Sequence, residues 1–579
     1  MAIDVERAAG TKTIANLWRR AEGRTGTAYQ VEEANGTWRD VSWAEARTAV
    51  DEIANGLLAL GVGKGDAFGI LGRTKVEWVL FDFALGSIGA IGAGIYPSLP
   101  AKDCAYILEH SDSVGVLVED DEQLTKIAEA RAELPKLAHV LTFDGTDELR
   151  ARGREHARSH PDALERARTS IAEDDLFTYI YTSGTTGPPK ACMITHRNYY
   201  EMVGAVDDVR EFIGPEDVIL LYLPLAHNFG RCLHLLAGYV GCTIAFCPDP
   251  MRVAEVAAAV KPTVLPSVPR VYEKVHTAVQ ASFDEATGAK RRLIDWALRV
   301  GRRVSELKQQ GKAVPAGLAL QHRIADKFVY SKVKAKLGGR LRLPISGGAP
   351  LAKEIAEFFH TIDLLIIEGY GQTECTTASN VNMPTSFRFG TVGPAIPGVE
   401  VRVADDGEVL VRGPNVFAGY YKDEDATREV LDDDGWLHTG DVGSIDDGFL
   451  TITDRKKDII VTAQGKNVAP QNIENALKAS KYISQALVIG DRRPYLTALI
   501  TLDEAETAKL GESADTEALV QEIVDEWNRD KASFEQVKRF EILPRDFSAE
   551  EDEVTPTMKL RRKIVVDHFG DQIEALYAR

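Results

Sequence analysis

Short apolar runs alternate with helical patterns through most of the chain. Residues 66–71 have the composition of a strand, and residues 76–86, which follow, have helical spacing. Residues 114–119 and 341–345 predict two further strands, and the apolar run 364–367 predicts a short buried strand before a glycine-containing loop. Strands that alternate with helices are typical of α/β folds, in which ligands bind at loops that follow strands.

The pattern changes in the last third of the chain. Apolar and polar residues alternate on either side of Asp405-Asp406-Gly407 and again around Asp446-Asp447-Gly448, which predicts two β-hairpins. A charged stretch, RKKD, follows Asp454. We therefore predict a hinge there, between a large N-terminal domain, 1–454, and a small C-terminal domain, 455–579.

No apolar stretch is long enough to cross a bilayer. The weakly polar windows 83–95 and 232–247 fall short of the roughly 18–20 apolar residues that a spanning helix needs. The first residues, MAIDVERAAGTKT, lack the basic and apolar regions of a secretory signal. We expect a cytoplasmic protein without a transmembrane segment, and peripheral contact with a membrane stays open. The polar, helical region 277–335 predicts a solvated pair of helices.

Length and charge narrow the class of protein. A chain of 579 residues is too long for one hydrophobic core. The net charge of −19, without a long basic run, makes nucleic acid a poor partner, because duplex binding needs clustered Lys and Arg. The six cysteines include no CxxC pair, so we expect buried, reduced thiols rather than a disulfide framework or a zinc site.

The segment IYTSGTTGPPKACMITH, residues 180–196, has the chemistry of a phosphate-binding loop. Its glycines allow backbone N–H groups to turn inward, its hydroxyls donate to anionic oxygens, and its lysine adds charge. It is not a Walker A loop, because Pro188 and Pro189 separate Gly187 from Lys190. Taken alone, the segment fits a phosphate site and a polar surface turn equally well.

The same segment resembles the core loop of the adenylate-forming superfamily, which includes acyl-CoA synthetases, luciferases and adenylation domains. Further motifs resemble that superfamily in the same order along the chain: SGGAP (346–350), GYGQTE (369–374), GTVGPAIPG (390–398), GWLHTGD (435–441), DRKKDIIVTAQGKNVAP (454–470) and PTMK (556–559). Within it, YLPLAHNFGR (222–231) and VPRVYEKV (268–275) resemble long-chain acyl-CoA synthetases of the bacterial and plastid type.

This resemblance implies a fold and a reaction. The fold is α/β, with a large N-terminal domain of several sheets and a small, mobile C-terminal α+β domain. A fatty acid carboxylate attacks the α-phosphorus of ATP, giving acyl-AMP and pyrophosphate, and coenzyme A then takes the acyl group. The implied cofactors are ATP, Mg²⁺ and coenzyme A. No covalent enzyme nucleophile is required, so catalysis depends on positioning and on charge neutralisation around phosphates.

The resemblance also implies roles for particular residues. The loop residues that hold the β- and γ-phosphates are Thr182, Ser183, Gly184, Thr185, Thr186, Gly187 and Lys190. Further nucleotide-binding residues are Gly348, Ala349, Pro350, Gly369, Tyr370, Gly371, Asp441, Arg455 and Lys457. Among these, Tyr370 stacks near the adenine, Asp441 and Arg455 reach the ribose, and Lys457 matches a hinge position.

Four residues carry implied catalytic roles. Thr373 contacts the α-phosphate, and Glu374, with Thr185, ligates Mg²⁺. Lys559 bridges the attacking carboxylate and the α-phosphate. His227 either gates the acyl pocket, contacts the substrate carboxylate, or is simply packed.

Two departures from the family pattern stand out. Ala191 occupies the position after the loop lysine where the family commonly has glycine, which predicts reduced backbone freedom in the loop. Met558 precedes Lys559 where glycine is usual.

Two alternative functions remain open. The chain could be an acyl-AMP ligase that loads a carrier protein, although the insertion of about 20 residues associated with such ligases is not evident. It could also be a non-catalytic nucleotide- or acyl-binding protein on the same fold. The retained Lys190, Glu374, Asp441, Arg455 and Lys559 favour an enzyme. The preferred chain length is not encoded in any spacing.

Overall fold

A computed structural model describes most of the chain. The described residues are 12–182, 188–208, 212–511, 514–548, 550–555 and 560–578. Their strands, numbered β1 to β23 in chain order, are Thr27–Glu32, Trp38–Ser42, Ala67–Leu71, Ile91–Ile95, Gly115–Val118, His139–Thr142, Leu176–Thr182, Lys190–Thr195, Val218–Leu221, Thr243–Phe246, Val264–Ser267, Leu343–Ser346, Ile367–Tyr370, Asn380–Val381, Glu400–Val403, Glu408–Arg412, Leu437–Asp446, Phe449–Arg455, Ile460–Val461, Asn467–Val468, Ile483–Ile489, Leu496–Leu502 and Val537–Ile542.

Helices connect and cover these strands. The α-helices, numbered α1 to α21 in chain order, are Ile14–Arg19, Trp43–Ala59, Val76–Ile88, Ala101–His110, Asp121–Glu129, Thr146–Ser159, Ala163–Thr169, His196–Gly204, Asn228–Val240, Val253–Val260, Pro269–Asp284, Gly288–Gln309, Ala316–Ala325, Ser331–Ala335, Lys353–Thr361, Glu424–Val430, Pro470–Lys478, Glu504–Thr507, Thr516–Asn528, Arg562–His568 and Gly570–Ala578. Shorter turns are the 3₁₀ helices Arg131–Glu133, Ala205–Asp208, Pro250–Arg252, Thr373–Cys375 and Ala508–Leu510, and the π-helix Asp326–Tyr330.

Two large sheets form the first part of the chain. One has the order β6-β5-β3-β4-β7-β8 and is parallel except for the antiparallel β7–β8 hairpin. The other has the order β14-β13-β12-β11-β9-β10-β1-β2 and is parallel between its two antiparallel edge strands. Strands β3, β4 and β5 are buried at every residue, as expected for parallel strands covered on both faces.

An antiparallel sheet of two hairpins, β15 to β18, follows. The hairpins predicted at Asp405-Asp406-Gly407 and Asp446-Asp447-Gly448 are both confirmed. Gly407 and Gly448 have φ angles of 86° and 81°, which glycine adopts without strain. In the second hairpin Asp441 pairs directly with Arg455, so the fold itself places two predicted site residues side by side.

The last part of the chain forms two hydrophobic clusters of its own. A cluster that begins with Ile460 packs strands β19 to β22 against α17 and α19, and a second cluster packs α20 and α21 against β21 and β22. The helix Pro470–Lys478 and the strands Ile483–Ile489 and Leu496–Leu502 contribute most of the buried residues of the first cluster. Arg270 on α11 donates to the carbonyl and hydroxyl oxygens of Ser484 at 3.0 and 2.8 Å and so contacts this part of the chain.

Two local predictions were wrong. The strand expected at 364–367 begins only at Ile367, because a buried apolar run of four residues does not by itself distinguish a strand from the chain that leads into it. Region 277–335 is not a solvated pair of helices. It contains parts of α11 to α14, and α12 buries Ile294, Ala297 and Val300.

The helices and the cysteines bear on two of the expectations from the sequence. Among the helices of the described residues, none combines the length and the apolar character that a bilayer span requires. All six cysteines are unpaired and buried, as predicted. Windows 83–95 and 232–247 consist of buried helix and strand within the two large sheets and their covering helices.

Candidate active site

The predicted phosphate loop is the connection of the β7–β8 hairpin. Thr182 and Lys190 form the last residue pair of the ladder, and the Thr182 hydroxyl donates to the Lys190 carbonyl at 3.4 Å. The Tyr106 hydroxyl donates to the Pro189 carbonyl at 3.1 Å and fixes the return end of the connection. The predicted residues Ser183, Gly184, Thr185, Thr186 and Gly187 lie outside the described residues.

Ala191 does not belong to this connection. It lies in β8 with no exposed surface, and its carbonyl accepts a hydrogen bond from the Tyr421 backbone at 2.9 Å. The expectation that its methyl group restricts the loop was therefore wrong, since the residue already belongs to the sheet.

Lys190 points toward the segment before α16. Its Nζ atom lies 3.5 Å from Oδ2 of Asp423 and 5.1 Å from the ring centre of Tyr420. Asp423 also caps α16, because its Oδ1 accepts from the Ala426 backbone at 3.0 Å. The lysine charge is thus held beside one carboxylate and one aromatic ring.

Glu374 contacts the same tyrosine from another side. The Tyr420 hydroxyl donates to Oε1 of Glu374 at 2.7 Å, and the Phe417 backbone donates to the Glu374 carbonyl at 2.9 Å. Tyr420 therefore links the predicted metal carboxylate to the predicted phosphate lysine.

The GYGQTE segment makes a tight turn after β13. A Cβ atom at Gly371 would collide with the Thr377 carbonyl and with Ala378, so glycine is required there. Thr376 and Thr377 have φ angles of 45° and 89°. The Thr376 hydroxyl is buried and makes no hydrogen bond within the described part of the chain. Left-handed, non-glycine backbone is costly and concentrates at ligand sites.

A hydrogen-bonded group joins β13 to the β17–β18 hairpin. The Tyr370 hydroxyl donates to Oδ2 of Asp441 at 2.6 Å, and Nε of Arg455 lies 3.3 Å from Oδ1. Asp441 is only 5% exposed, and its sequence neighbour Gly440 and its pairing partner Arg455 line a pocket of about 340 Å³. The pocket is lined by Thr439, Gly440, Arg455, Lys456 and Lys457. Partial desolvation, followed by the charge of Arg455, lowers the pKa of Lys457.

The SGGAP segment follows β12 at the same sheet edge. Gly348 has a φ angle of 83°, and a Cβ atom there would meet nothing within 4 Å. Ala349 and Pro350 are exposed. A Cβ atom at Gly347 would lie 3.3 Å from the Phe229 ring, which brings the start of α9 against this turn. Carboxyl ends of adjacent parallel strands are where α/β sheets bind ligands.

His227 caps helix α9 and is half-buried. Its Nδ1 accepts a hydrogen bond from the Phe229 backbone at 3.1 Å. Asn228, the next residue, accepts hydroxyl hydrogen bonds from Tyr199 at 2.6 Å and from Thr377 at 2.8 Å. The start of α9 is thereby tied to the loop that contains Glu374, and the role of His227 stays a prediction.

A buried charge cluster joins α9 to α3. Arg231 and Asp82 form an ion pair with no exposed side-chain surface, and Nε2 of His234 lies 2.8 Å from Asp82. Thr178 on β7 contacts the same guanidinium. Burial alone would raise the pKa of Asp82, but the Arg231 charge and the His234 hydrogen bond bring it below its ordinary value.

A second pocket, of about 360 Å³, lies in the last part of the chain. Two aromatic rings, Tyr495 and Phe534, and two cations, Lys538 and Arg539, contribute to its wall, together with Thr462, Gln464, Pro494 and Ser533. The Arg539 guanidinium lies 5.6 Å from the centre of the Tyr495 ring. Aromatic faces beside cations suit a planar ring that carries phosphate.

The donor set fits a magnesium ion bound together with phosphates rather than a protein-only metal cage. Across the described ranges, no three His, Cys, Asp or Glu side chains gather into a metal site. Mg²⁺ is commonly held by one or two carboxylates plus substrate phosphates. Glu374, a half-buried carboxylate with one oxygen on the Tyr420 hydroxyl, meets that requirement.

The structure therefore brings many of the predicted residues to one sheet edge. Tyr370, Asp441 and Arg455 are in contact, and Lys457 lines the adjoining pocket. Lys559 lies outside the described residues; Val554 and Leu560, which flank its segment, form a β-bridge.

Sequence reasoning missed Tyr420, Asp423 and Asn228. Asn228 lies within the YLPLAHNFGR segment, and its polar amide next to the predicted site residue His227 could have marked it as a candidate. For Tyr420 and Asp423 the only signal was the pattern GYYKD at residues 419–423.

Comparisons with known proteins show the family of this chain. The family model described as AMP-binding enzyme matches residues 17–421, and the one described as AMP-binding enzyme C-terminal domain matches residues 457–579. The chain belongs to the AMP-binding enzyme family, and its predicted resemblance to adenylate-forming enzymes is confirmed.

Among its relatives, the protein named long-chain-fatty-acid–CoA ligase FadD15 from Mycobacterium tuberculosis is 39% identical over 94% of this chain and 93% of its own length. Long-chain-fatty-acid–CoA ligase 5 from Rattus norvegicus is 31% identical over 98% of this chain and 88% of its own length.

Solved structures confirm the predicted α/β fold class. The adenylation domain of a carboxylate reductase from Mycobacterium chelonae has a TM-score of 0.75 at 22% identity and covers 98% of this chain and 91% of its own. An anthranilate CoA ligase in complex with anthranoyl-AMP has a TM-score of 0.72 at 21% identity and covers 96% of this chain and 97% of its own.

Proposed function

We propose that this chain is an ATP-dependent long-chain fatty acid–CoA ligase. A fatty acid carboxylate attacks the α-phosphorus of ATP, forming acyl-AMP and releasing pyrophosphate. The thiol of coenzyme A then attacks the acyl carbon, forming acyl-CoA and releasing AMP. One observation carries the proposal: at one sheet edge, Tyr370, Asp441 and Arg455 form a connected polar group, and Tyr420 joins Lys190 to Glu374 nearby. The names of the relatives supply the substrate class.

The polar group around Asp441 suits the ribose of the nucleotide. A carboxylate accepts hydrogen bonds through both oxygens, so Asp441 can accept from vicinal hydroxyls while Tyr370 and Arg455 hold its orientation. We assign Tyr370, at the end of β13, to stack near the adenine. A Cβ atom at Gly348, in the exposed turn after the neighbouring strand β12, would meet nothing within 4 Å, so this turn leaves open space for a ring.

In the first step Lys190 and Lys559 supply positive charge, Thr373 supplies a hydroxyl donor, and Glu374 supplies a carboxylate for the metal. Lys190 contributes its ammonium at the end of the phosphate loop, and Thr373 follows the tight turn at Gly371. Glu374 would hold Mg²⁺, which when bound neutralises phosphate charge. Lys559 carries the ammonium that we assign to the attacking carboxylate and the α-phosphate, a contact that strengthens as charge develops.

The pocket at Tyr495 and Phe534 suits the nucleotide end of coenzyme A. That end combines an adenine ring with several phosphates. Lys538 and Arg539 supply positive charge there, in a protein whose net charge is −19. Aromatic side chains give the adenine a stacking surface.

We propose that the chain divides at Asp454 and that residues 455–579 rotate between the two steps. The present arrangement is held by contacts that such a rotation would break: Arg270 with Ser484, and Lys481 with Asp284 at 3.2 Å. Asp454 itself accepts from the Gln471 backbone at 3.0 Å. Lys457, just beyond Asp454, lies where the backbone change would be absorbed.

A cytoplasmic location fits the six unpaired thiols, since disulfides form in oxidising compartments. Peripheral contact with a membrane would give an apolar acid a route to the enzyme. A carrier protein is the less favoured acceptor of the acyl group. A non-catalytic binding protein is disfavoured by the retained Lys559 of the sequence motif, because binding alone does not require the C-terminal lysine.

The experiment follows both products with a panel of acids of different chain lengths. Purified protein with ATP, Mg²⁺ and a long-chain acid should release pyrophosphate, and added coenzyme A should convert acyl-AMP to acyl-CoA, detected by mass spectrometry. Acyl transfer to a carrier protein but not to coenzyme A would favour the acyl-AMP ligase. Tight ATP binding without pyrophosphate release would favour the non-catalytic protein.

Lys559→Ala tests the assignment of the first step. Acyl-AMP formation should fall roughly 10²–10³-fold, the scale for one preorganised donor, because the variant lacks the bridging ammonium. Thioester formation from supplied acyl-AMP should be retained. An equal loss in both half-reactions would contradict the assignment.

A further inference from the structure

Tyr420 is held rigidly between two parts of the candidate site. Tyr420 is only 8% exposed, and its ring packs edge-on against the ring of Phe417, with the two ring centroids 5.0 Å apart. The backbone on either side pairs with β8: the Met193 N–H donates to the Gly419 carbonyl, and the Tyr421 N–H donates to the Ala191 carbonyl, each at 2.9 Å. The ring position is thus fixed by the strand that begins with Lys190.

The two polar contacts of Tyr420 point at different partners. Its hydroxyl donates to Oε1 of Glu374 at 2.7 Å, and its ring face lies 5.1 Å from the Lys190 ammonium. Lys190 is steadied further by Asp423 at 3.5 Å. One side chain therefore contacts both a carboxylate and an ammonium that lie 184 positions apart in the sequence.

We propose that Tyr420 is a positioning residue for acyl-AMP formation, which holds the Glu374 carboxylate for magnesium through its hydroxyl and the Lys190 ammonium through its ring. This inference rests on the proposed function, because it takes Glu374 as the magnesium ligand.

The physical reason lies in the freedom of a glutamate side chain. A carboxylate without a second partner samples several rotamers and presents either oxygen to the metal. A hydroxyl donor on Oε1 leaves the other oxygen to face the ion, and hydrogen bonds to ionised acceptors are the stronger kind. Loss of such an outer partner typically costs 10–100-fold in metal affinity or activity.

Tyr420→Phe isolates the hydroxyl, since the ring that faces Lys190 and Phe417 is kept. The matched control is Tyr421→Phe. The Tyr421 hydroxyl donates to Asp112 at 3.1 Å and does not contact Glu374. Both variants remove one partly buried phenol hydroxyl from adjacent residues, so a general effect on the fold should appear in both.

The test compares binding of a non-hydrolysable ATP analogue with and without Mg²⁺ by calorimetry. In wild-type protein, Mg²⁺ should strengthen binding of the analogue. In Tyr420→Phe that gain should shrink 10–100-fold, while binding of the metal-free analogue changes less than threefold. Tyr421→Phe should match wild type in both measurements. With Glu374→Gln as the background, Tyr420→Phe should alter the gain less than twofold.

Two results would overturn the inference. One is an unchanged magnesium gain in Tyr420→Phe, and the other is an equal loss of binding with and without the metal. Failure of the proposed function is distinguishable, because wild-type protein would then release no pyrophosphate with any fatty acid. As a second readout, the magnesium concentration that half-saturates acyl-AMP formation should rise 10–100-fold in Tyr420→Phe, and an unchanged value would also count against the inference.

Discussion

Asp441→Asn removes one negative charge and one acceptor oxygen while keeping the size of the side chain. In the structure this carboxylate accepts a 2.6 Å hydrogen bond from Tyr370, lies 3.3 Å from Arg455 and is 5% exposed. A carboxylate can hold these partners and still accept from two ribose hydroxyls, whereas an amide has one acceptor oxygen and a nitrogen that only donates. At least one of the existing or expected contacts must be lost in the variant.

The size of the effect follows from that loss. A hydrogen bond to a charged group contributes about 1.5–3 kcal/mol. Because each 1.4 kcal/mol changes an equilibrium constant about tenfold, the dissociation constant for ATP should rise about 10–150-fold.

Calorimetric titration with ATP in the absence of fatty acid measures this change directly. The control is Asp446→Asn, the same substitution at the last residue of β17, where an exposed carboxylate pairs with Arg388 at 2.7 Å. The control should bind ATP as wild type does. If Asp441→Asn kept its ATP affinity within twofold while both variants melted at the wild-type temperature, Asp441 would not be a nucleotide-binding residue.

Three further predictions concern stability. Asp82→Asn should lower the free energy of unfolding by about 3–5 kcal/mol in urea titrations, because it leaves Arg231 charged and buried, and a loss under 1 kcal/mol would refute this. Burial lowers the pKa of His196 to about 3, and its Nδ1 accepts a hydrogen bond from the Ile14 backbone at 3.1 Å. The contribution of His196 to the free energy of unfolding should therefore be full above about pH 6.5. It should be lost as the pH falls toward 3, because the unfolded chain takes up a proton that the folded chain does not. His196→Asn should flatten that slope by up to about 1.4 kcal/mol per pH unit, and an unchanged slope would contradict the assignment. Ala191→Gly should cost about 1–2 kcal/mol of stability through a lost buried methyl group and a freer strand backbone, with acyl-AMP formation within twofold of wild type; a large change in rate would restore a role for this residue in the loop.

The predicted secondary structure succeeded where the apolar pattern and the turn residues agree. Both hairpins of the third sheet follow from an Asp-Asp-Gly turn between alternating residues, and the structure has both. The run 364–367 had no such turn to fix its start, and its four apolar residues were compatible with more than one register. The strand accordingly begins at Ile367.

The candidate site was predictable where family motifs mark it. Glu374, Asp441 and Arg455 each lie within a motif, and no spacing rule would have joined Tyr370 to a residue 71 positions away. Tyr420 could not be found this way, because its contact with Glu374 depends on pairing between its own segment and β8. The Arg231–Asp82 pair likewise joins residues 149 positions apart, and an arginine in an apolar helix does not reveal its partner.

The proposed function depends on the activation of long-chain fatty acids on ATP. It is tested most directly by the exchange of labelled pyrophosphate into ATP, without coenzyme A, across saturated acids of increasing length. We expect exchange that depends on Mg²⁺ and on a long-chain acid, and that falls at least tenfold in Asp441→Asn at subsaturating ATP. Pyrophosphate exchange that is absent with every long-chain acid, or that proceeds equally without any acid, would contradict it.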